Sequence, residues 1–253
     1  MKTRKSAVRF LGGVVLSLAV CLVMVGTAFA ASGAYVYQTV NGVSVNGHAE
    51  IYESGQYSMM GKVQINAGSS RPAGNLGASV YTLRNGSIVA SYGPAYSGSS
   101  TNSFSAYAGT EKVGTSSFRS YGNIYIYNSS TGKYQVYNVP SSPTITGIAP
   151  RSVFENEYVA DAEYAINENG MEYGSILTAE YTGYNPELVS VVATNGIEGY
   201  AYGSELFIEP TTLEDAIAVS QETHTKIVPV YDPDGVTKIG EFVTRYGGDG
   251  HYQ

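Results

Sequence analysis

The residues best suited to chemistry in this chain lie in an acidic turn near its C-terminus. Asp232-Pro-Asp-Gly235 is followed by Glu241. If Asp232 takes position 3 of a calcium loop, Asp234 takes position 5 and Glu241 takes position 12, where a carboxylate is required. These three residues are therefore a candidate Ca²⁺ site. Position 1 would be Val230, which cannot ligate, and the flanks are strand-like. A hairpin turn without a cofactor is thus the favoured interpretation.

Other metal and nucleophile patterns are incomplete. His48, His224 and His251 are scattered, and the H-E-x-x-H pattern of zinc enzymes is absent. Ser130-Thr-Gly-Lys133 matches the S-x-x-K of penicillin-recognising enzymes, but the companion S-D-N and K-T-G motifs are missing. We therefore predict no catalytic residue from motifs.

Paired carboxylates leave a hydrolase open as the alternative function. Two acids held in one cleft can hydrolyse a glycosidic bond, and residues 151–253 contain 18 of the 21 acids. The group Glu155, Glu157, Asp161 and Glu163 is more typical of a solvated face. A cell-wall or polysaccharide hydrolase would need two such acids in a pocket, or a Ser–His pair that uses His48.

Tyrosine is unusually frequent, with 23 residues against no tryptophan. Strand alternation places several members of one group on related faces, which makes them candidate binding residues: Tyr121, Tyr125, Tyr127, Tyr134 and Tyr137. A tyrosine ring has an apolar body and a polar tip, and it costs little entropy to order against a sugar or a peptide. Tyrosine also suits half-buried strands, so packing is the favoured alternative. The absence of tryptophan weakens the sugar interpretation.

The first half of the chain has the period-2 alternation of short strands. Runs at 78–83 and 87–92 enclose Asn85-Gly86, and this pair tolerates the positive φ angles of a tight hairpin. Two further pairs of runs lie at 34–40 and 48–52, flanked by Asn41-Gly42 and Asn46-Gly47, and at 120–127 and 133–139. About seven short strands with regular turns predict an antiparallel β-sandwich or a closed barrel, and we favour the sandwich.

The second half predicts a smaller α+β domain. Hairpins are expected around Asn195-Gly196 and around Asp232–Gly235. Between them, Thr211 can cap a helix while Glu214 reaches back to it, and the helix should end near Thr223. The overall fold class is therefore mainly β, with one short helix.

The distribution of charged residues and of prolines indicates that the chain has two units. Residues 31–150 have a net charge of +3, whereas residues 151–253 have −14. Three prolines between 140 and 150 indicate a stiff linker. The predicted organisation is a signal peptide at 1–30, a β-sandwich at 31–139, a linker at 140–150, an acidic β-rich domain at 151–246 and a disordered tail at 247–253.

The N-terminal segment predicts export. Four basic residues precede an apolar run, and Ala28-Phe-Ala30 offers small residues for cleavage. Cleavage would remove Cys21, the single cysteine, and leave a disulfide-free chain of net charge −11. Residues 10–31 carry no charge, so an uncleaved membrane anchor is the alternative. The residues before Cys21 form only a poor lipidation signal.

Two groups of motifs resemble those of uncharacterised exported proteins of Gram-positive bacteria. The first group includes Pro72-Ala-Gly-Asn-Leu-Gly77 and the segment 121–134. The second follows the order Asn167–Gly174, Asn195–Tyr200, Thr212–Ala216 and Pro229–Phe242. The resemblance implies a two-domain β-rich architecture and carries no assigned activity.

These observations predict an extracytoplasmic, non-enzymatic interaction protein. It would be secreted, or tethered to the outer face of the cytoplasmic membrane if the signal is uncleaved. The expected partner is a protein or a cell-wall glycan. The mild charge of residues 31–150 forms no basic patch, so nucleic acid is excluded as a partner. Contact with a membrane is expected only through an uncleaved N-terminal segment.

Overall fold

The computed structural model describes residues 30–55, 58–146, 159–209 and 212–251. The predicted signal peptide therefore lies outside the described residues, except for Ala30, and so does the end of the predicted linker. Strands before the gap at 147–158 are β1 (Ala30–Ser32), β2 (Val36–Val40), β3 (Val43–Gly55), β4 (Ser58–Arg71), β5 (Leu76–Arg84), β6 (Ser87–Tyr96), β7 (Thr101–Glu111), β8 (Ser117–Asn128), β9 (Lys133–Val139) and β10 (Ile145–Thr146).

The elements after that gap are shorter and include the helices. The strands are β11 (Ala165–Ile166), β12 (Glu172–Gly174), β13 (Leu188–Val192), β14 (Glu198–Tyr202), β15 (Thr223–Tyr231) and β16 (Lys238–Gly247). A 3₁₀ turn at Ile176–Thr178 precedes α1 (Ala179–Thr182), and α2 (Gly203–Leu206) and α3 (Leu213–Val219) follow. The protein is mainly β, as predicted.

Five strands form sheet 1. Its order is β1-β3-β4-β7. Strand β2 also pairs with β3, along the same edge of β3 as β1. All these pairings are antiparallel. One face of sheet 1 contributes Val45, Ala49, Val63 and Ile65 to a buried cluster, together with Ile124 and other residues of sheet 2. We call the opposite face the outer face of sheet 1.

Sheet 2 contains strands from both halves of the chain. Its order is β10-β8-β5-β6-β16-β15-β14-β13-β12-β11, with β9 beside β8. Strand β6 also pairs with β13, so β6, β16, β15, β14 and β13 form a closed ring of five strands. The predicted acidic unit therefore shares this ring with β6, a strand of the first half.

A second buried cluster contains residues of all five ring strands and of β5 and β8. It combines Val189, Val228 and Phe242 from the second half with Leu83 and Tyr121 from the first. Burial of apolar area is the main favourable term in folding, so the two halves stabilise each other through this cluster.

The hairpin predictions are confirmed at most positions. Asn85 and Gly86 have φ values of 50° and 88° and connect β5 to β6, as a two-residue turn requires. The prediction is wrong at Asn46-Gly47, which lies inside β3. A Cβ on Gly47 would lie 2.7 Å from Cγ2 of Ile124, so this glycine provides space between the sheets and forms no turn.

The predicted helix is present as α3, but its cap is shifted by one residue. Thr212 is the N-cap, and its side chain accepts a hydrogen bond from the Asp215 amide at 3.1 Å. Thr211 lies outside the described residues. Helices α1 and α2 and the 3₁₀ turn were not predicted, because segments of three or four residues are too short to show helical periodicity.

The C-terminal segment differs from the predicted disordered tail. Gly247 ends β16, and the Gly250 carbonyl accepts a hydrogen bond from the Tyr107 amide at 2.8 Å. The His251 ring stacks on the Tyr107 ring with centroids 4.6 Å apart. Gly250 and His251 therefore contact β7 through Tyr107. Residues 252–253 lie outside the described part.

Candidate functional site

The five candidate tyrosines lie on two faces of sheet 2. Tyr121 and Tyr125 are 2% and 4% exposed, and burial raises the pKa of both phenols. Tyr127 and Tyr134 are a half-buried cross-strand pair with ring centroids 5.4 Å apart. Tyr137 pairs with Ile124 and packs against the first buried cluster, on the opposite face. The set therefore provides no continuous tyrosine surface.

Hydrogen bonds account for the hydroxyl groups of two of these tyrosines. The Tyr125 hydroxyl lies 3.1 Å from Ser79 Oγ, and the Tyr134 hydroxyl donates to the Gly74 carbonyl at 2.6 Å. Burial also raises the pKa of Tyr134. These contacts support the packing interpretation for Tyr125 and Tyr134.

Two carboxylates of the acidic turn, those of Asp234 and Glu241, bond to residues two or three positions away in the chain. The Asp234 carboxylate accepts hydrogen bonds from the Val236 and Thr237 amides at 2.8 and 2.9 Å and from the Thr237 hydroxyl at 2.6 Å. These donors hold the pKa of Asp234 below its ordinary value. Glu241 forms an ion pair with Lys238 at 2.8 Å, and the Asp232 backbone closes the turn by bonding to Thr237 and Gly235.

Metal ligation has no support in the described residues. No group of three His, Cys, Asp or Glu side chains among them is placed to hold a metal ion. The Ca²⁺ site at Asp232, Asp234 and Glu241 stays a prediction. A hairpin turn is sufficient to explain the Asp-Pro-Asp-Gly sequence that suggested it.

His48 lies on the outer face of sheet 1. The residue is 6% exposed, and its ring packs against the Tyr35 ring, with centroids 4.3 Å apart. Burial lowers the pKa of His48, an effect that Glu50 partly opposes. Its Nδ1 has no hydrogen-bond partner, so a Ser–His pair is not formed through that nitrogen.

Around His48, the strand register aligns uncharged polar side chains in two rows. The first row runs across four strands: Tyr37, Asn46, Asn66 and Ser103. The second row contains His48, Gln64 and Ser105. Neighbouring strands lie about 4.8 Å apart, so adjacent members of a row are within reach of one another and of one ligand.

Hydrogen bonds connect the amides of these rows. Gln64 Nε2 donates to Asn66 Oδ1 at 2.8 Å, and Asn66 Nδ2 donates to Asn46 Oδ1 at 3.2 Å. The Ser103 hydroxyl also donates to Asn66 Oδ1, at 2.9 Å. The amides are thereby held in defined orientations before any ligand binds.

Aromatic rings lie at one end of the rows. Tyr35 and Tyr37 are 46% and 68% exposed, and their rings are stacked with centroids 6.0 Å apart. This surface was not predicted from the sequence. Its signal was the alternation of Tyr, Asn and Gln along β2, β3 and β4, but only the register brings the three strands together.

A separate cavity of about 250 Å³ contains two acids. Asp161 and Glu163 line it with three tyrosines and several hydroxyl groups: Tyr164, Tyr173, Tyr200, Ser87, Ser175 and Ser190. Both acids are exposed and belong to the segment before β11. The Ser87 and Ser190 hydroxyls are 2.7 Å apart, which joins β6 to β13 at this cavity.

No protein-family model, curated protein or solved structure matches the chain. In the part of the chain that the structure describes, no helix combines the length and apolar character needed to cross a membrane.

Proposed function

We propose that this chain is an exported binding protein without catalytic activity that acts at the cell envelope or outside the cell. The observation that carries the proposal is the outer face of sheet 1, where ordered amides lie beside exposed aromatic rings. The basic and apolar N-terminal segment supports export, followed by release or tethering. The partner is an envelope protein or a cell-wall glycan.

The architecture that we propose is a β-sandwich extended by a smaller α+β unit. Sheet 1 and the strands β5, β6, β8 and β9 would form the sandwich around the first buried cluster. The ring that β6 shares would belong to the smaller unit. The resemblance to exported Gram-positive proteins agrees with this organisation, and it supplies no activity.

Co-sedimentation with purified Gram-positive cell walls tests the proposal. Residues 31–253 contain every described residue except Ala30, and this fragment should sediment with the walls. Tyr37→Ala and Asn66→Ala should each lower the association constant for the walls at least about tenfold, which corresponds to about 1.4 kcal/mol. Tyr181→Ala is the matched control, because Tyr181 is 62% exposed against 68% for Tyr37.

The sedimentation of the parent protein and the three variants has two possible outcomes. Binding that both face variants lose and the control keeps supports the proposal. Absence of binding, or equal binding by all the variants, would overturn it.

A glycoside hydrolase is the second candidate, because one cavity contains both Asp161 and Glu163. Such an enzyme needs one acid to protonate the leaving group and another carboxylate to act as base or nucleophile. Release of reducing ends from cell walls, abolished by Asp161→Asn and by Glu163→Gln separately, would establish it. Equal release by the parent protein and both variants would exclude this pair.

A further inference from the structure

We infer that the outer face of sheet 1 binds a neutral polysaccharide, with sugar rings packed on Tyr35 and Tyr37 and hydroxyl groups bonded along the amide rows. This inference rests on the proposed function and names the ligand class of the same surface.

The hydrogen-bonding groups of the rows suit sugar hydroxyls. A hydroxyl both donates and accepts, and the amides of Asn46, Gln64 and Asn66 offer both functions on one side chain. Their mutual hydrogen bonds at 2.8 and 3.2 Å already order them. A ligand therefore meets a preorganised surface and does not have to immobilise three free side chains, which lowers the entropic cost of binding.

The tyrosines supply the apolar contact that a sugar ring requires. Their rings stack at an interplanar angle of 28°, yet Tyr35 stays 46% exposed and Tyr37 68% exposed, so both keep apolar ring surface open to solvent. The His48 ring packs against the Tyr35 ring with centroids 4.3 Å apart, which helps to fix the position of Tyr35. The C–H face of a sugar can pack on such rings while its hydroxyls reach Asn46, which pairs with Tyr37 in the strand register.

The charge on this surface favours a neutral polymer over an acidic one. Lys62 lies in the next row, and its Nζ forms an ion pair with Glu50 at 3.2 Å. Binding an acidic sugar there would require this pair to break or the carboxylate of Glu50 to approach a second negative charge, and both cost free energy. The remaining members of the two rows are uncharged, apart from His48 when it is protonated.

A peptide ligand fits this face less well. Extended peptides add to an open sheet edge, where unpaired backbone groups are available. The rows lie on the face of sheet 1, where side chains alone are presented. At the β7 edge, the Tyr107 amide is already bonded to the Gly250 carbonyl. The side-chain chemistry of the face therefore favours a polyhydroxyl ligand.

Affinity electrophoresis of residues 31–253 tests the ligand class. The probes are the neutral polymers dextran, mixed-linkage β-glucan, galactomannan and arabinoxylan, with alginate as the acidic probe. We expect at least one neutral polymer to retard the protein and alginate to leave its mobility unchanged. Tyr37→Ala should raise the dissociation constant at least about tenfold, whereas Tyr181→Ala should not change it.

A second variant guards against a loss caused by misfolding. Asn66→Asp keeps the size of the side chain, and it should also raise the dissociation constant at least about tenfold while circular dichroism stays unchanged. Retardation by alginate alone, absence of retardation by every neutral polymer, or retardation of both face variants equal to that of the parent protein would overturn the inference. Wall binding that depends on Tyr37 but is not competed by any neutral polymer would refute the ligand class and leave the proposed function standing.

Discussion

The Ser91 hydroxyl donates a hydrogen bond to the Thr244 hydroxyl at 2.8 Å, and both side chains are buried. The two residues are 153 positions apart and belong to β6 and β16, which are parallel neighbours in sheet 2. This bond lies at the junction between the mildly basic and the strongly acidic halves. Within sheet 2, β6 is the strand that pairs with strands of the acidic half.

Substitution of this pair should reveal a coupling. Ser91→Ala or Thr244→Val alone leaves one buried hydroxyl without its partner, which should lower the free energy of unfolding by about 1–3 kcal/mol. The double variant should lose less than the sum, because no polar group is then left unpaired. Urea unfolding measures all four proteins. Additive losses would show that the two side chains contribute independently and that the bond between them has no interaction energy.

The acidic half should not fold alone. Four of the five strands in the closed ring come from residues after 159, and β6 is the fifth. Without β6, the facing edges of β13 and β16 lose their partner, and Ile88 is lost from the second buried cluster. Residues 151–253 expressed separately should give narrow amide proton dispersion in NMR spectra, whereas residues 31–253 should give dispersed signals. A well-dispersed fragment would contradict this expectation.

Gly122 is a position where even one methyl group should be costly. A Cβ there would overlap the Ser79 backbone carbonyl and lie 3.0 Å from Cγ2 of Val63. Gly122→Ala should destabilise the protein by about 1–3 kcal/mol through overpacking. Gly98→Ala is the control, because its nearest neighbour would be Ser220 Oγ at 3.8 Å. That change should stay within about 0.5 kcal/mol in thermal or urea unfolding.

The hydrogen-bonded carboxylate of Asp234 should stabilise the fold at neutral pH, and this stabilisation should be lost in acid. Hydrogen bonds from Thr237 and Val236 hold the pKa of Asp234 below its ordinary value of 3.8. A depressed pKa stabilises the fold above 3.8, and the gain is lost as the pH falls through the folded-state value. Asp234→Asn should therefore lower the melting temperature at pH 6, and the difference from the parent should shrink below pH 3.

Asp232 provides the comparison within the same turn. Its described turn contacts are made by the backbone, so Asp232→Asn should keep the acid dependence of the parent protein. If both variants lose that dependence equally, the explanation based on the Asp234 carboxylate is wrong.

Chelation tests the calcium prediction directly. Because the Asp234 oxygens already accept three hydrogen bonds and Glu241 is paired with Lys238, EDTA should leave the melting temperature of residues 31–253 unchanged. Readdition of Ca²⁺ after dialysis is the control. A drop of several degrees with EDTA, reversed by Ca²⁺, would restore Asp232, Asp234 and Glu241 as ligands.

Local elements were predictable because their causes lie within a few residues. The β5–β6 hairpin depends on the positive φ angles that Asn85 and Gly86 tolerate, and α3 depends on a threonine cap followed by helix-forming residues. The prediction failed at Asn46-Gly47, where the same pair of residue types lies inside β3. There the glycine is explained by Ile124, a residue of another sheet.

The candidate tyrosines show a similar limit. Alternation along β8 correctly separates Tyr121 and Tyr125 from the isoleucines that face sheet 1. It does not reveal that elements following residue 159 cover Tyr121, or that α3 contributes Ala216 to the cluster around Tyr125. Exposure depends on the layers that pack on both faces of a sheet, and strand periodicity reports only which side chains share a face.

By itself, the sequence determined the β-rich class, the hairpin turns, helix α3 and the uneven charge of the two halves, because these follow from composition and short-range backbone preferences. Only the tertiary structure decided that β6 completes the ring of the acidic half and that Tyr37, Asn46, Asn66 and Ser103 form one row. Strand order and register depend on contacts between residues far apart in the chain. A shift of one residue would turn each side chain of a strand to the other face of its sheet.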